Sequence, residues 1–497
     1  MSKIYRALPY QHFANKGKLE TINQLFTLYK KDAQKIFSFV WNKFIKTRTI
    51  LGQKENLKEV KTTLSERYKY NIYAYVVHPT YISYLENAKN YIAKLIRNST
   101  LPAQDKLLLY SLNRRGLWLN PPDSIDIKKN EQTITLTVSA EHKKLIKKLF
   151  HRFLKTHKLP TFKNTPIIGD NKVIEYQQSK KAKHFEHWLR LSTHTKGKPI
   201  YIPVKETDYY RQKQGKDTNI FQITKTDLGT IEIRRVKEIV PKQTEKQDIL
   251  SLDFGLTCLF ATNKGDLLGR NFFSKVKEYA SKLNKLQRNL QRQGIKPTQS
   301  KRYRRLNHKL REYVKNEIRR VINRLIERYQ PAVIVIENLR GFIQSVINQF
   351  PKSVKRALIR IGRKELRDKL REISEEYGIE VVEVNPAYTS QSCSQCGYVD
   401  EENRKSQTEF ECKCCGKKLN ADVNASRNLL VRHQEGMHLH GIKQALRWQV
   451  NRFMNLLSER YRCLWSKARG LLAVHPYYSH SPLTRGIDEY KENACLC

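Results

Sequence analysis

Five of the nine cysteines lie within 23 positions of the chain, and four of them have the spacing of a metal site. Cys393 and Cys396 form one C-x2-C pair, and Cys412 and Cys415 form a second pair after fifteen intervening residues. Tetrahedral zinc takes four thiolates, and two tight turns can supply two each. The spacing therefore predicts one structural zinc ion held by these four side chains. Cys414 could replace a neighbour as a ligand, although its C-x-C spacing from Cys412 fits such a turn less well.

Three carboxylates form the second candidate site. Asp253 follows the apolar run that begins at Ile249, and Glu337 follows the run that begins at Val333. Asp422 lies near a predicted helix start. An acid directly after a buried strand costs free energy unless its charge is satisfied. Carboxylate oxygens bind hard cations such as Mg2+ or Mn2+, and two such ions about 4 Å apart support phosphodiester cleavage. The three acids therefore predict a two-metal hydrolytic site.

Each of these carboxylates also has a purely structural interpretation. Asp253 could cap a turn with Gly255, and Glu337 could pair with one of the many arginines. Asp422 could cap a helix or interact with the helix dipole. For any one acid alone, the structural interpretation would be preferred. All three in this order, with a cysteine ribbon between the second and the third, favour a shared site.

The charge balance indicates a polyanionic partner. Lys and Arg number 94 against 47 Asp and Glu, which gives a net charge of +47. A chain with this excess repels itself unless a polyanion neutralises it, so the predicted partner is nucleic acid. The alternative, a solvated surface, would usually mix both signs. A content of 39% hydrophobic residues is enough to form cores, which excludes a wholly disordered protein.

The sequence shows no signal for export or for membrane insertion. Its uninterrupted apolar stretches are only a few residues long, such as 332–336, whereas a membrane helix needs roughly 20 apolar residues. The first six residues lack the apolar segment of a secretory signal. Clustered cysteines without such a signal are typical of a reducing compartment. We therefore expect a cytoplasmic protein that has no membrane contact.

The elements that must position these residues change in type along the chain. Apolar periodicity predicts a long helix over 18–45, in a helical region that continues to Pro122. Short alternating runs separated by glycine turns then predict a small barrel or sandwich. A polar linker at 241–247 precedes a mixed α/β unit. The elements predicted in that unit are strands at 248–253, 332–336 and 379–384, a hairpin at 257–269, and helices at 274–293, 300–329 and 352–377.

Five motifs in the second half of the chain are specific as a set. They are Asp253-x-Gly255, Ile-Glu337-Asn-Leu, Tyr388-Thr-Ser-Gln-x-Cys393-Ser-x-Cys396-Gly, Phe410-x-Cys412-x-x-Cys415-Gly and Asn420-x-Asp422-x-Asn424-Ala-x-Arg427-Asn428. Together with two basic helices between the first two motifs, they resemble the split RuvC nuclease of the TnpB family. They resemble equally the type V CRISPR effectors related to that family. The match covers about 248–433, and the N-terminal half resembles the family only in layout.

The resemblance implies a multidomain α+β protein that cuts DNA under the direction of a guide RNA. Its nuclease domain would be an RNase H-like (RuvC) mixed α/β fold with an inserted zinc ribbon, accompanied by an N-terminal helical lobe and a small wedge-type β-barrel. Asp253, Glu337 and Asp422 would be the catalytic acids that bind the divalent ions, and the ribbon would lie near the target strand. The implied domain boundaries are 1–20 and 123–245 for the barrel, 21–122 for the helical lobe, 246–392 and 421–440 for the nuclease domain, 393–420 for the ribbon, and 441–497 for a C-terminal helical extension.

Two departures from the TnpB pattern favour a particular branch. About sixty residues follow the third acidic motif, where TnpB proteins usually end sooner, and the helical lobe is longer than a minimal TnpB needs. Both features resemble the miniature type V-F CRISPR nucleases of prokaryotic antiviral defence, which work as two protein copies on one guide RNA. The implied partners are a guide RNA, target double-stranded DNA and single-stranded DNA. Two alternatives stay open: a transposon-encoded TnpB nuclease, and a non-cutting zinc-ribbon nucleic-acid-binding protein, which would be expected to have lost one acid.

Overall fold

The computed structural model describes residues 3–129, 132–178, 185–195, 197–226, 228–242, 248–254, 258–338, 363–436 and 442–459. The chain forms two compact units, Met1–Val240 and Pro241–Cys497. Gly255, the first part of the predicted helix 352–377 and the end of the chain from 460 lie outside the described residues. Within the described ranges, no helix is both long and apolar enough to cross a membrane.

The first unit begins with one β-strand, and a mainly helical region follows it. The apolar spacing that predicts a long helix is confirmed by α1 (Lys16–Thr47), which begins where Asn15 accepts the backbone N–H of Lys18 at 3.0 Å. A π-helical turn, Tyr73–Val77, separates the second and third helices. The remaining helices of this unit are α2 (Glu66–Ile72), α3 (His78–Arg97), α4 (Ala103–Arg115), α5 (Ala140–Thr156) and α6 (Asp208–Gln212).

The strands of the first unit form one large antiparallel sheet and a separate hairpin. In chain order they are β1 (Ile4–His12), β2 (Ser124–Lys129), β3 (Gln132–Thr137), β4 (Ile167–Gly169), β5 (Ile174–Gln178), β6 (His187–Leu191), β7 (Ile200–Glu206), β8 (Gly215–Lys225) and β9 (Ile231–Ile239). The large sheet has the order β4-β8-β9-β1-β7-β6-β5, and β2 pairs only with β3.

This sheet curls until its two edges approach each other. The edge strands β4 and β5 are joined by the short turn 170–173, and the Tyr176 ring of β5 stacks on the Phe221 ring of β8 with centroids 6.0 Å apart. The sheet is therefore nearly closed, as the many short strands predict for a small barrel. Barrel and helices share one apolar core, which includes Phe37 of α1, Phe150 of α5 and Leu189 of β6.

The second unit is built on a mixed five-stranded sheet. Its strands are β10 (Ile249–Asp253), β11 (Phe260–Thr262), β12 (Leu267–Leu268), β13 (Val333–Glu337) and β14 (Glu380–Val384), in the order β12-β11-β10-β13-β14. β10, β13 and β14 are parallel, and β11 and β12 form the predicted hairpin. The helices are α7 (Phe272–Arg292), α8 (Lys301–Tyr329), α9 (Arg363–Tyr377), α10 (Ala421–Gln434) and α11 (Ile442–Glu459). A small hairpin, β15 (Glu409–Glu411) and β16 (Lys418–Asn420), completes the unit.

Helices cover both faces of this sheet, which explains why its central strands are apolar throughout. Leu252 and Ile336 pack on one face in a core with α7, α8 and α9. Val335 faces the opposite side, where it packs with Leu429 of α10. Strands buried on both faces read as continuous apolar runs, which is the pattern that predicted β10 and β13. The mixed α/β interpretation of this region is therefore confirmed.

Candidate active site and zinc ribbon

Asp253 and Glu337 lie side by side at the ends of neighbouring strands. Leu252 pairs with Ile336 in the parallel register of β10 and β13, so the next position on each strand brings the two acids together. Side chains alternate between the faces of a strand, so both carboxylates point away from the core that contains Leu252 and Ile336. Each acid is buried, with 9% of its surface exposed. The two predicted acids thus share one edge and one face of the sheet.

Asp422 reaches the same place from α10, which packs on that face. The Ser251 hydroxyl donates to the backbone oxygen of Ser426 at 2.7 Å, and the Ser426 hydroxyl donates to the Ser251 oxygen at 2.9 Å. Asn420 caps the helix, because its side-chain oxygen accepts the N–H groups of Asp422 and Val423 at 3.0 and 3.2 Å. The capping role considered for Asp422 therefore belongs to Asn420. Asp422 is left on the first turn of α10, only 2% exposed.

The three carboxylates act on one another electrostatically. Burial and the neighbouring charge of Asp422 raise the pKa of Asp253 to about 8, while Arg404 offsets part of that rise. Burial and the charges of Asp253 and Asp422 raise the pKa of Glu337 well above its ordinary value. Like charges shift each other in this way only at short range. Acids that are perturbed by both burial and specific neighbours mark a candidate functional site.

Two further side chains contact Asp422. Arg404 Nη2 lies 3.1 Å from Asp422 Oδ1, and Cys258 Sγ lies 4.0 Å from Asp422 Oδ2. Among the described residues, the three acids do not form a group whose ligand atoms all lie within 4.8 Å of one another. The donor set is nevertheless all oxygen, which fits hard divalent cations, and such ions would offset the repulsion among the three charges. Sequence reasoning identified neither Arg404 nor Cys258, because both contacts depend on the fold.

The four predicted cysteines do form a compact group. Cys393 Sγ lies 3.7 Å from Cys415 Sγ, Cys396 Sγ lies 3.6 Å from Cys412 Sγ, and all four atoms lie within 4.8 Å of one another. A tetrahedral zinc site with Zn–S bonds of about 2.3 Å has sulfur–sulfur edges of about 3.8 Å. The close grouping of the four thiols is therefore compatible with one tetrahedral zinc ion.

Tight turns place the two cysteine pairs. The N–H of Gly397 donates to the oxygen of Cys393, and the N–H of Gly416 donates to the oxygen of Cys412, both at 2.9 Å. Both glycines have positive φ, +83° and +68°, a region that disfavours other residues. Cys414 is buried beside the group but is not one of the four atoms that define it. The pairing of Cys412 with Cys415 is thus the arrangement that the fold provides.

Two asparagines of α10 hold the ribbon against the helix that carries Asp422. Asn424 donates to the oxygen of Ser392 at 2.7 Å and accepts the N–H of Ser394 at 2.9 Å. Asn428 donates to the oxygens of Thr389 and Ser392 at 2.8 and 2.7 Å. Both asparagines are buried. They belong to the motif recognised in the sequence, and their hydrogen bonds join the cysteine ribbon to the candidate active site.

Two family models match the chain over the segments just described. "Cas12f1-like, TNB domain" matches 364–429, which contains the four cysteines and Asp422. The family described as "Probable transposase" (OrfB_IS605) matches 225–340, which contains Asp253 and Glu337. All seven predicted site residues therefore lie within a matched segment.

Individual relatives agree with these matches. The chain is 42% identical over 79 residues to the CRISPR-associated endodeoxyribonuclease Cas12f1 of Sulfoacidibacillus thermotolerans, which covers 16% of this chain and 19% of that protein. It is 28% identical over 235 residues to InsQ of Escherichia coli (strain K12). This alignment covers 44% of this chain and 58% of InsQ. Proteins described as TnpB-like are among its relatives as well. The chain is thus similar in sequence to both Cas12f1 and TnpB-like proteins.

The extent of these matches is limited. They span about a fifth of the Cas12f1 relative and just over half of InsQ. A protein chain in the solved Cas12f1–sgRNA–target DNA complex aligns with 86% of this chain and 98% of its own length, at 16% identity and a TM-score of 0.40. The resemblance to miniature type V effectors and TnpB is thus confirmed by sequence, and the two family models match the segments that contain the four cysteines and the three acids.

Proposed function

We propose that this protein is an RNA-guided DNA endonuclease that cuts its target at a single RuvC-like site. The observation that carries the proposal is the convergence of Asp253, Glu337 and Asp422, from two strands and a helix, on one face of the second unit's sheet. The relatives named Cas12f1 are CRISPR-associated endodeoxyribonucleases, and the Cas12f1-like family model matches the segment that contains the four cysteines. Acids buried without a chemical task would be a costly arrangement.

In this proposal the three acids are the catalytic residues and ligands of two Mg2+ or Mn2+ ions. Ions held there would activate a water molecule and stabilise the leaving oxygen of a phosphodiester. Glu337 and Asp253 offer oxygens from the rigid strand ends, and Asp422 offers its oxygens from the first turn of α10. Arg404 pairs with Asp422 and so keeps its carboxylate oriented.

The ribbon is proposed to hold one structural zinc ion through Cys393, Cys396, Cys412 and Cys415. A closed set of four thiolates leaves no open position for a substrate, which is typical of structural rather than catalytic zinc. The ribbon lies between the second and third acids in the chain and is bonded to α10 through Asn424. Its zinc would therefore stabilise the segment that presents Asp422.

The charge of the second unit supports a nucleic-acid substrate. From 279 to 311, across the end of α7 and the start of α8, there are eleven Lys or Arg residues and no Asp or Glu. Arg305 and Lys309 are exposed on α8. A surface of one sign binds phosphate backbones without reading sequence, and base pairing with a guide RNA would then supply the specificity.

The biological setting is proposed to be a type V-F CRISPR system, with two protein copies on one guide RNA. The relatives leave a transposon-encoded TnpB nuclease as the second candidate, because the chain is similar to both Cas12f1 and TnpB-like proteins. A non-cutting zinc-ribbon protein is less favoured, because all three acids are present and converge. The helical lobe, the wedge-type barrel and their boundaries remain part of this proposal.

One purification tests these candidates together. The protein is expressed with its native genomic neighbourhood, its bound RNA is sequenced, and cutting of a plasmid that carries the matching target is assayed with and without Mg2+. Repeat–spacer RNA with Mg2+-dependent cutting would support the CRISPR nuclease. RNA from a transposon end would support TnpB. Bound RNA without any cutting would support the third candidate, a non-cutting zinc-ribbon nucleic-acid-binding protein.

A further inference from the structure

The last described helix, α11, packs on the cysteine ribbon. Val450 and Phe453 share one buried cluster with Cys393, Cys396 and Cys412, and the partly buried Cys415 packs against it. Gln449 is 1% exposed and donates to the backbone oxygen of Gly397 at 3.2 Å. A Cβ atom at Gly397 would lie only 3.2 Å from the backbone Cα of Phe453, so helix and ribbon turn are in direct contact. A second contact of α11 is made by Arg452, whose Nε atom lies 3.1 Å from Glu435 Oε1. Glu435 is the residue that directly follows α10.

A buried path leads from this helix into the ribbon. The Phe453 ring lies 5.3 Å from the Tyr398 ring in an edge-to-face arrangement. The Tyr398 hydroxyl then donates to Asp400 Oδ2 at 3.2 Å. Phe453 and Tyr398 are fully buried, and Asp400 is 5% exposed. A close-packed, hydrogen-bonded path of this kind transmits small displacements instead of absorbing them.

The path continues from Asp400 to the candidate active site. Asp400 Oδ1 accepts the N–H of Glu402 at 2.8 Å and so caps a single 3-10 turn, Glu401–Asn403. Arg404 is the next residue, and its guanidinium lies 3.1 Å from Asp422 Oδ1. The direction in which Arg404 leaves the turn therefore decides whether it meets Asp422.

Asn403 fixes this turn through three hydrogen bonds of its side chain. Its side-chain nitrogen donates to the oxygens of Gln391 and Tyr398 at 2.9 and 3.2 Å, and its side-chain oxygen accepts the N–H of Lys413 at 2.9 Å. Asn403 is fully buried. The turn is thus bonded to the segments around both cysteine pairs, and it has little freedom to move independently of them.

We propose that α11 is a positioning element of the nuclease site. It acts through Phe453, Tyr398 and Asp400 to hold Arg404 against Asp422, and so it keeps the third acid aligned with the other two. This inference rests on the proposed function for its catalytic consequence. It assigns a task to a segment that lies beyond the last acidic motif, and it makes Tyr398 and Phe453 positioning residues rather than catalytic ones.

The first test uses the conservative variant Tyr398→Phe, which removes only the hydroxyl that bonds Asp400. Single-turnover cleavage by the full guide-loaded protein should fall about fivefold, the effect of one hydrogen bond worth about 1 kcal/mol. Affinity for guide and target, and the zinc content, should stay unchanged. Phe453→Leu should act in the same direction. Asn451→Ala, on the exposed side of the same helix, is the matched control and should cut like the unaltered protein.

A double-mutant cycle separates positioning from general loss of stability. If Tyr398 acts only through Arg404, Tyr398→Phe should have no further effect on the cleavage rate once Arg404→Gln is present. Multiplying effects would overturn the proposal, as would unchanged cutting by Tyr398→Phe in a preparation whose Asp253→Ala variant is inactive. That last result would leave the proposed function intact.

A measurement independent of cutting completes the test. Amide hydrogen exchange in the full protein should become faster in Tyr398→Phe over 401–405 and 421–424, and should not change in the sheet strands. Exchange that stays at the unaltered rate in both segments would overturn the proposal whatever the activity. Faster exchange in a protein that cuts no DNA would uphold the coupling of α11 to Asp422 and reject the proposed function.

Discussion

Three carboxylates buried near one another impose an electrostatic cost on the folded second unit. Asp253, Glu337 and Asp422 repel each other in a place that water scarcely enters, and Arg404 compensates only in part. Divalent cations remove this repulsion because they bring two positive charges each. At the scale of single residues, we therefore expect divalent cations to stabilise this site.

The first prediction follows from the raised pKa of Asp253. Its carboxyl group titrates near 3.8 when unfolded and near 8 when folded, so its ionisation destabilises the fold progressively as the pH rises through that range. Without added divalent ions, Asp253→Asn should therefore have a higher Tm than the unaltered protein at pH 8, and the difference should shrink towards pH 4. Thermal unfolding at several pH values measures this.

Metal addition supplies the complementary readout for the same variant. Mg2+ or Mn2+ should raise the Tm of the unaltered protein more than that of Asp253→Asn, because binding to the folded state alone stabilises it. Asp248→Asn is the matched control, since Asp248 is exposed and pairs with Lys264. If Mg2+ or Mn2+ raised the Tm of Asp253→Asn as much as that of Asp248→Asn, the result would contradict the assignment of Asp253 as a ligand.

The second prediction concerns the zinc ligands. The double variant Cys393→Ser, Cys396→Ser should lose the one zinc ion per chain that elemental analysis should find in the unaltered protein, because hydroxyl groups bind zinc far less well than thiolates. Cys414→Ser should keep it, since Cys414 lies outside the group of four. Retention of zinc by the double variant would mean that other ligands hold the metal.

Residue spacing predicted the cysteines and the acids for different physical reasons. Local turns fix the positions of metal-binding thiols, so the spacing within the pairs Cys393–Cys396 and Cys412–Cys415 was enough to predict the group. Two of the acids could be predicted because Asp253 and Glu337 each end an apolar run. The roles of Arg404 and Cys258 could not be predicted, because their contacts with Asp422 join segments that are distant in the chain.

At the scale of elements, two devices place the site. The parallel register of β10 and β13 aligns two acids at one sheet edge, and the serine pair between β10 and α10 fixes the helix that carries the third. The ribbon is bonded to the same helix through Asn424 and Asn428. Sheet, helix and ribbon thus form one assembly around the acids.

The third prediction tests the contact between ribbon and C-terminal helix. Gly397→Ala and Gly416→Ala both place a side chain at positive φ, at a cost of about 1 to 2 kcal/mol. Only Gly397 is crowded by α11, whereas Gly416 has no atom within 4 Å of a new Cβ. Gly397→Ala should therefore lose zinc to a chelator faster than Gly416→Ala. Equal rates would mean that α11 does not support the first turn.

The elements most readily predicted were those with long or strongly apolar patterns. The helices α1, α7 and α8 and the strands β10, β13 and β14 were predicted within a few residues of their observed bounds. β4, β5 and α6 were not, because three to five residues carry too little periodicity and their pairing partners are remote. The near closure of the first sheet depends on β4 and β5, so its detail could not be derived from the sequence.

At the scale of the whole molecule, the charge of +47 is the dominant property. Its densest acid-free stretch, 279–311, lies in the same unit as the three acids. A polyanion bound there would release counterions, so binding should weaken steeply as salt increases. The chain is therefore suited to a partner that is larger and more highly charged than a small-molecule substrate.

The fourth prediction assigns part of that salt dependence to α8. Replacing Arg305 and Lys309 by Gln should reduce the slope of log affinity against log salt by up to about two, if each contacts one phosphate. Lys264→Gln with Arg328→Gln removes the same charge, but these two residues already pair with Asp248 and Asp266. Duplex DNA binding at several salt concentrations should distinguish the pairs. An equal change in slope would mean that net charge alone matters.

Guide-directed cleavage of a plasmid by Asp253→Ala tests the central claim most directly. We predict that this variant binds its guide RNA and target like the unaltered protein and produces no cut in either strand, because one of the three acids proposed to hold the metal ions is missing. Asp248→Ala, altered at an exposed acid before the same strand, should cut normally. Cutting by Asp253→Ala at the unaltered rate would contradict the claim that these acids are the active site.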